Sequence, residues 1–161
     1  MVMASCMDEL NFQIEVASKN DAPNILAIQK AAFLGQAKIY KNYELPPLTQ
    51  NLDSIEKEFE EKTFLKAMIK GEIIGAVRFI LTKGCVIIDR IVVKPEYQNK
   101  GIGTALLKKI EAIIPNAIAF QLFTGNKSVR NIHLYEKIGY KVIGQDISDQ
   151  GIELLHLEKK P

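Results

Sequence analysis

The stretch IIDRIVVKPEYQNKGIGTALLKKIEAII, residues 87–114, joins a strand to a helix through a loop suited to an anion. Ile87, Ile88, Ile91, Val92 and Val93 are β-branched and nearly uninterrupted, the pattern of a strand covered on both faces. Pro95 has no N–H to give a ladder, so the strand ends there. Beyond it, Ile102, Ala105, Leu106, Ile110, Ile113 and Ile114 recur at offsets of three and four. That spacing places them on one face of a helix, which Pro115 closes.

Gly101 and Gly103 fall where this helix begins. The first-turn N–H groups have no acceptor inside the helix, and glycine puts no side chain in front of them. Together with the positive end of the helix dipole they form a site for a phosphate or pyrophosphate. Lys100 adds a mobile charge, and Gln98 and Thr104 can add neutral hydrogen bonds. Two familiar phosphate motifs do not fit. A P-loop needs a lysine between its second glycine and the Ser/Thr, but Thr104 follows Gly103 directly. A dinucleotide fingerprint needs a third small residue where Leu106 stands.

Gln98-Asn99-Lys100-Gly101-Ile102-Gly103 instead resembles the coenzyme A motif of the GNAT superfamily of N-acetyltransferases, Gln/Arg-x-x-Gly-x-Gly/Ala. Val93-Lys94-Pro95-Glu96-Tyr97 resembles that family's approach to the loop. A second block, NKSVRNIHLYEKIGY at residues 126–140, resembles the family's last block, Asn/Ser-x-x-Asn/Ala-x-x-Leu-Tyr-x-x-x-Gly-Phe/Tyr. Here Ile132, Tyr135 and Ile138 share a helix face, with Tyr135 one turn after Asn131. Two separated motifs in order, on the expected elements, extend the resemblance over residues 12–158.

The rest of the chain is consistent with one domain at residues 12–161. Residues 1–11 lack the charged start and hydrophobic core of a signal peptide and read as an upstream extension. Residues 12–16 alternate as a half-buried strand. A helix then starts with Asp21 as cap and Pro23 in the first turn, and ends near Gly35. Residues 36–51 show no period and read as an irregular connection, in which Tyr40 and Tyr43 either pack the loop down or touch substrate. A second helix covers residues 52–61, with Asp53 or Ser54 near its start. Turns at Lys70-Gly71 and Lys83-Gly84 fold three strands antiparallel, and the helix at 102–114 is long enough to bring the strand at 117–123 back parallel. A turn at 124–126, a helix over 128–138 ended by Gly139, and a final hairpin, 140–145 with 152–157, complete the chain.

Composition bounds the partners. The 161 residues are 47% hydrophobic and 25% charged, with no apolar run long enough for a membrane span. Twenty-one basic against nineteen acidic residues, without a basic block, give nucleic-acid binding no support. Cys6 and Cys85 are too few for a disulfide framework, so a reducing cytoplasm is expected. His133 and His156 each stand alone, without a second ligand at zinc spacing, and no metal is expected.

The resemblance implies an α/β (α+β) fold: a mixed, mostly antiparallel sheet with splayed parallel central strands, flanked by helices. It implies acetyl-coenzyme A as cosubstrate and direct attack by a small-molecule or protein amine. The pyrophosphate is expected on the backbone of Asn99, Lys100, Gly101, Ile102, Gly103 and Thr104, with Gln98 at the loop entrance. The pantetheine arm is expected beside Ile91, Val92 and Val93, near Asn131, and a backbone N–H near Val92 or Val93 would polarise the thioester carbonyl. Tyr135 is implied as the acid that protonates the departing thiolate. The base that frees the amine is Asp89, which would have a raised pKa if unpaired, or a water relay; Glu44 is a weaker candidate. Arg90 is the strand neighbour of Asp89, expected on the other face. Tyr40, Tyr43 and Glu44 are candidates for acceptor contact. Relatives are often dimers, and a homodimer is the corresponding expectation. An acyl-coenzyme A sensor without turnover, or an unrelated mononucleotide-binding domain, are the other readings.

Overall fold

The computed structural model describes residues 10–161. Residues 1–9 of the expected extension lie outside the described residues, whereas Leu10 packs against the core. Among the described residues seven strands form one sheet: β1 (Gln13–Val16), β2 (Thr63–Ile69), β3 (Glu72–Thr82), β4 (Cys85–Val93), β5 (Ala119–Gly125), β6 (Lys141–Ile147) and β7 (Glu153–Lys159). Their order is β1-β2-β3-β4-β5-β7-β6, antiparallel throughout except for the parallel pair β4–β5. The tight links at Lys70-Gly71 and Lys83-Gly84 have positive φ at both residues, the backbone that matches the twist of adjoining antiparallel strands.

Among the described residues five α-helices accompany the sheet: α1 (Ala22–Tyr40), α2 (Pro46–Thr49), α3 (Leu52–Glu61), α4 (Ile102–Ile113) and α5 (Val129–Lys137). Alternate strand residues feed two cores. Phe64, Ile73, Ala76 and Val92 pack with Ile25 and Ile28 of α1 and Ile55 of α3. On the other face, Leu65, Ile74 and Ile88 pack with Leu106 and Ile110 of α4 and Tyr135 of α5.

Several boundaries differ from the sequence reading for local reasons. The first helix does not end near Gly35; it runs to Tyr40 and is capped by Lys41 at φ 52. An isolated glycine costs only about 1 kcal/mol in a helix, and here the fully buried Ala37 beyond it holds the last turn to the core. Asp21 stands at the N-cap but faces backward, accepting from the Ser18 N–H (2.9 Å) and pairing with Lys66 (2.9 Å). The cap of α3 is Asn51, whose Oδ1 accepts from the Ser54 N–H at 2.8 Å. The expected turn at 124–126 begins later, because Thr124 and Gly125 remain paired to Leu155 and Leu154.

The strand covered on both faces is β3, buried without interruption from Ile73 to Phe79, rather than β4. In β4 only Val86, Ile88 and Val92 are buried. Pairing with β5 is confined to Cys85↔Ala119, Val86↔Phe120 and Ile87↔Gln121, after which the two strands part. Between the pairs Arg78↔Asp89 and Ala76↔Val92, β4 supplies Arg90 and Ile91 against the single residue Val77. Arg90 has φ 53, so this is a bulge that bends β4 at the point of separation.

Candidate active site

Beside the part of β4 that β5 leaves unpaired is a cleft of about 400 Å³, closed on another side by Phe33 and Gln36 of α1. Ile91 and Val93 form its wall on β4, Gln98, Asn99, Gly101, Ile102, Gly103 and Thr104 its floor, and Asn131 and Tyr135 of α5 the facing wall. Ten of the twelve residues singled out for the cofactor therefore meet in one place. Val92 is absent because its side chain alternates into the α1–α3 core, and Lys100 lies outside the lining.

At the start of α4, Gly101 caps the helix in the left-handed region (φ 85), and the Ala105 N–H bonds to the Gly101 carbonyl at 3.0 Å. The N–H groups of Ile102, Gly103 and Thr104 precede that bond and point out of the helix end. All three residues line the cleft, and a β-carbon on Gly101 would meet nothing within 4 Å. A β-carbon on Gly103 would touch Leu134 at 3.6 Å and Ile91 at 3.9 Å, so this glycine lets the helix lie close to both walls. The loop is braced on either side. Gln98 Nε2 donates to the Val93 carbonyl at 3.1 Å, and Arg130 donates to Asn99 Oδ1. Gln98 is thus committed to the strand end, while Arg130, which the sequence reading missed, ties α5 to the loop.

Tyr135 is buried, packs edge-to-face with Tyr140 at 6.3 Å, and still contributes to the cleft wall. Burial pushes its phenol well above the usual tyrosine range, so it carries its proton at neutral pH. His133, on the same helix, is exposed and outside the cleft. Among the described residues no group of His, Cys, Asp and Glu is arranged to hold a metal ion.

The proposed acceptor contacts lie differently. Tyr40 is the last residue of α1, not part of a loop, and its hydroxyl meets Ser128 Oγ at 2.8 Å. The Lys127 N–H donates to Tyr40 at 3.1 Å and Ser128 donates to Gln36 Oε1 at 2.6 Å, so Tyr40 must donate to Ser128. Tyr40 is a strut across the rim of the cleft, and Gly125 leaves room for it. A β-carbon on Gly125 would overlap the Tyr40 hydroxyl. Gly125→Ala should therefore cost about 1–3 kcal/mol, read as a lower midpoint in a denaturant melt; an unshifted midpoint would remove the strut. Tyr43 and Glu44 are exposed and line no part of the cleft.

Asp89 also stands apart from the cleft. Arg78 holds both of its oxygens, Nε to Oδ1 at 2.9 Å and Nη2 to Oδ2 at 3.2 Å, and Lys62 approaches Oδ2 at 3.4 Å. The unpaired aspartate that the base role presupposed is not present. Nor do Asp89 and Arg90 face opposite ways: the left-handed backbone at Arg90 sends its Nη1 to Gln50 Oε1 (3.0 Å), in the same helix layer that Asp89 reaches through Lys62.

The family model for the acetyltransferase (GNAT) domain matches residues 14–161. The chain belongs to the GNAT acetyltransferase family. Among curated proteins, the GNAT chain is 27% identical over 141 residues to the UPF0157 protein YqkA of Bacillus subtilis, covering 86% of this chain and 40% of that protein. It thus spans well under half the length of that relative. Among solved structures, the ribosomal-protein-S18-alanine N-acetyltransferase of Escherichia coli superposes with a TM-score of 0.76 at 16% identity, covering 93% of this chain and 94% of that one. The PaiA N-acetyltransferase of Thermoplasma acidophilum, solved in complex with coenzyme A, gives 0.69 at 21% identity, covering 94% and 100%. These two likenesses establish the GNAT fold, with its splayed central strands.

Proposed function

We propose that the protein is an N-acetyltransferase that moves an acetyl group from acetyl-coenzyme A to a primary amine of a small molecule or a protein. The observation that carries this reading is the convergence of the open α4 start and Tyr135 on one cleft. The residues fit the cosubstrate. A helix start whose first residues line the cleft suits a diphosphate, and the β4 edge beyond Ile87, unpaired by β5, suits an extended chain of amides. Acetyl-coenzyme A, when bound, supplies an activated acyl group as a thioester. The chain's own part is to grip the diphosphate at residues 99–104, align the arm along Ile91 and Val93, and hold a proton on Tyr135. With Asp89 engaged by Arg78, the amine proton leaves through a water relay rather than to that carboxylate. Two cysteines among 161 residues favour a reducing compartment such as the cytoplasm.

Coenzyme A at about 100 times its Kd should stabilise the fold by ~2.7 kcal/mol, raising Tm by about 5–10 °C. Gly103→Val, which puts a branched side chain between the helix start and Leu134, should abolish that shift. A larger shift with ATP or GTP would overturn the reading in favour of a mononucleotide site. Thiol release that requires an added amine completes the test, and tight coenzyme A binding without turnover across a broad amine panel would point to a sensor.

A further inference from the structure

No residue of α1 is assigned to the cofactor, yet α1 forms one side of the cleft. Ala32, Gly35, Gln36 and Ile39 line it with the spacing of a single helix face, and Phe33 joins them. Apart from Gln36, whose Oε1 accepts from Ser128 at 2.6 Å, this side is apolar. At the rim the Tyr40–Ser128 hydrogen bond, 2.8 Å, ties the end of α1 to the start of α5. Their chain neighbours Ile39 and Val129 both line the cleft and are 45% and 70% exposed. Two large apolar side chains left open to water at one cleft suit a ligand with apolar surface of its own.

The charges around the cleft are of one sign. Among the described residues Lys127 and Arg130 line it, and no Asp or Glu does. A second ammonium on an acceptor would lose water there without gaining a carboxylate, and would meet two cations instead. The reacting amine feels the same surroundings. Desolvation and nearby positive charge both lower the pKa of an ammonium, so more of it stands as the neutral nucleophile, its proton passed to water. That suits a cleft whose lining offers no carboxylate as base.

We propose that the acceptor is a primary amine on an apolar body without a second positive charge, and that the α1 face ending at Ile39 selects it. The inference rests on the acetyl-transfer reading for the reaction but makes its own claim about the acceptor. An alkyl or arylalkyl body would lie against Ala32, Phe33 and Ile39, with its nitrogen toward Ile91 and Tyr135, which line the same cleft. A methylene enclosed by a hydrophobic pocket discriminates by roughly 10- to 200-fold, so a chain end covered only in part should still register.

The test compares hexylamine with 1,5-diaminopentane, in which an ammonium of about the same size replaces the far methyl, at saturating acetyl-coenzyme A. Wild type should acetylate hexylamine with at least about tenfold higher kcat/KM. Ile39→Glu sets a carboxylate on the α1 side, at a position exposed enough to accept it, and should shrink that preference about 10- to 100-fold. Ile39→Ala should weaken hexylamine about 3- to 10-fold through KM and leave the diamine unchanged. A thermal melt checks that both variants fold. A wild-type preference for the diamine, turnover confined to amines with a second charge, or a preference that folded Ile39→Glu leaves untouched would overturn the apolar site while leaving acetyl transfer intact. If no amine is acetylated, the acetyl-transfer reading fails separately. The coenzyme A complex melting higher with hexylamine than with the diamine, a margin lost in Ile39→Glu, would then still support the site, and no margin would refute it.

Discussion

Tyr135→Phe should lower kcat at least about 10²-fold and leave coenzyme A protection against unfolding at the wild-type level. The expectation follows from where the hydroxyl sits. The ring of Tyr135 is buried in the α4–α5 core and edge-packed on Tyr140, contacts that phenylalanine keeps. Only the hydroxyl of this cleft-lining residue is removed. A free thiol has a pKa of about 8.5, so a thiolate leaves more readily when a proton is supplied in place. Burial keeps the Tyr135 phenol protonated well past neutral pH, so the acid form is the resident one. The measurement is steady-state thiol release beside a thermal melt with and without coenzyme A. A variant with wild-type turnover would reduce Tyr135 to a packing residue. A variant that loses cofactor protection as well would show that the hydroxyl binds rather than donates.

Much of this arrangement could be read from the sequence because it is local. Gly101 and Gly103 announce a bare helix start, the periodicity after Ile102 announces the helix, and paired Lys-Gly turns announce two hairpins. Tyr135 was found through its place one turn after Asn131 in a motif, and both residues line the same wall. What was illegible depends on partners far away along the chain. The continuation of α1 past Gly35 is held by Ala37 in the core and by Tyr40 at Ser128, 88 residues on. Arg130 bracing Asn99 needs α5 laid against the loop, 31 residues apart. The bulge at Arg90 arises from register with β3, and no alternation pattern reports it. The surroundings of Asp89 were illegible for the same reason. A carboxylate between isoleucines looks isolated until the hairpin brings Arg78 opposite it.

That pairing gives the other large expected effect. Asp89→Ala strips the counter-ion from Arg78, whose side chain is 3% exposed and whose Nη1 already lacks a partner. An arginine so placed, stacked 5.8 Å over the Phe64 ring, cannot turn to water without disturbing the α1–α3 core. Removing one partner of a buried pair typically costs about 3–5 kcal/mol, so Tm should fall by roughly 6–20 °C. Activity per folded molecule, measured at low temperature with coenzyme A present, should stay near wild type, because both carboxylate oxygens are engaged away from the cleft. The double variant Arg78→Met/Asp89→Leu separates pairing from chemistry. When both charges go, no uncompensated cation remains, and the lost stability should largely return. If the stability returns but turnover stays depressed 10²-fold or more, Asp89 is a base after all and the water relay is wrong. If both recover, the carboxylate serves only to neutralise Arg78.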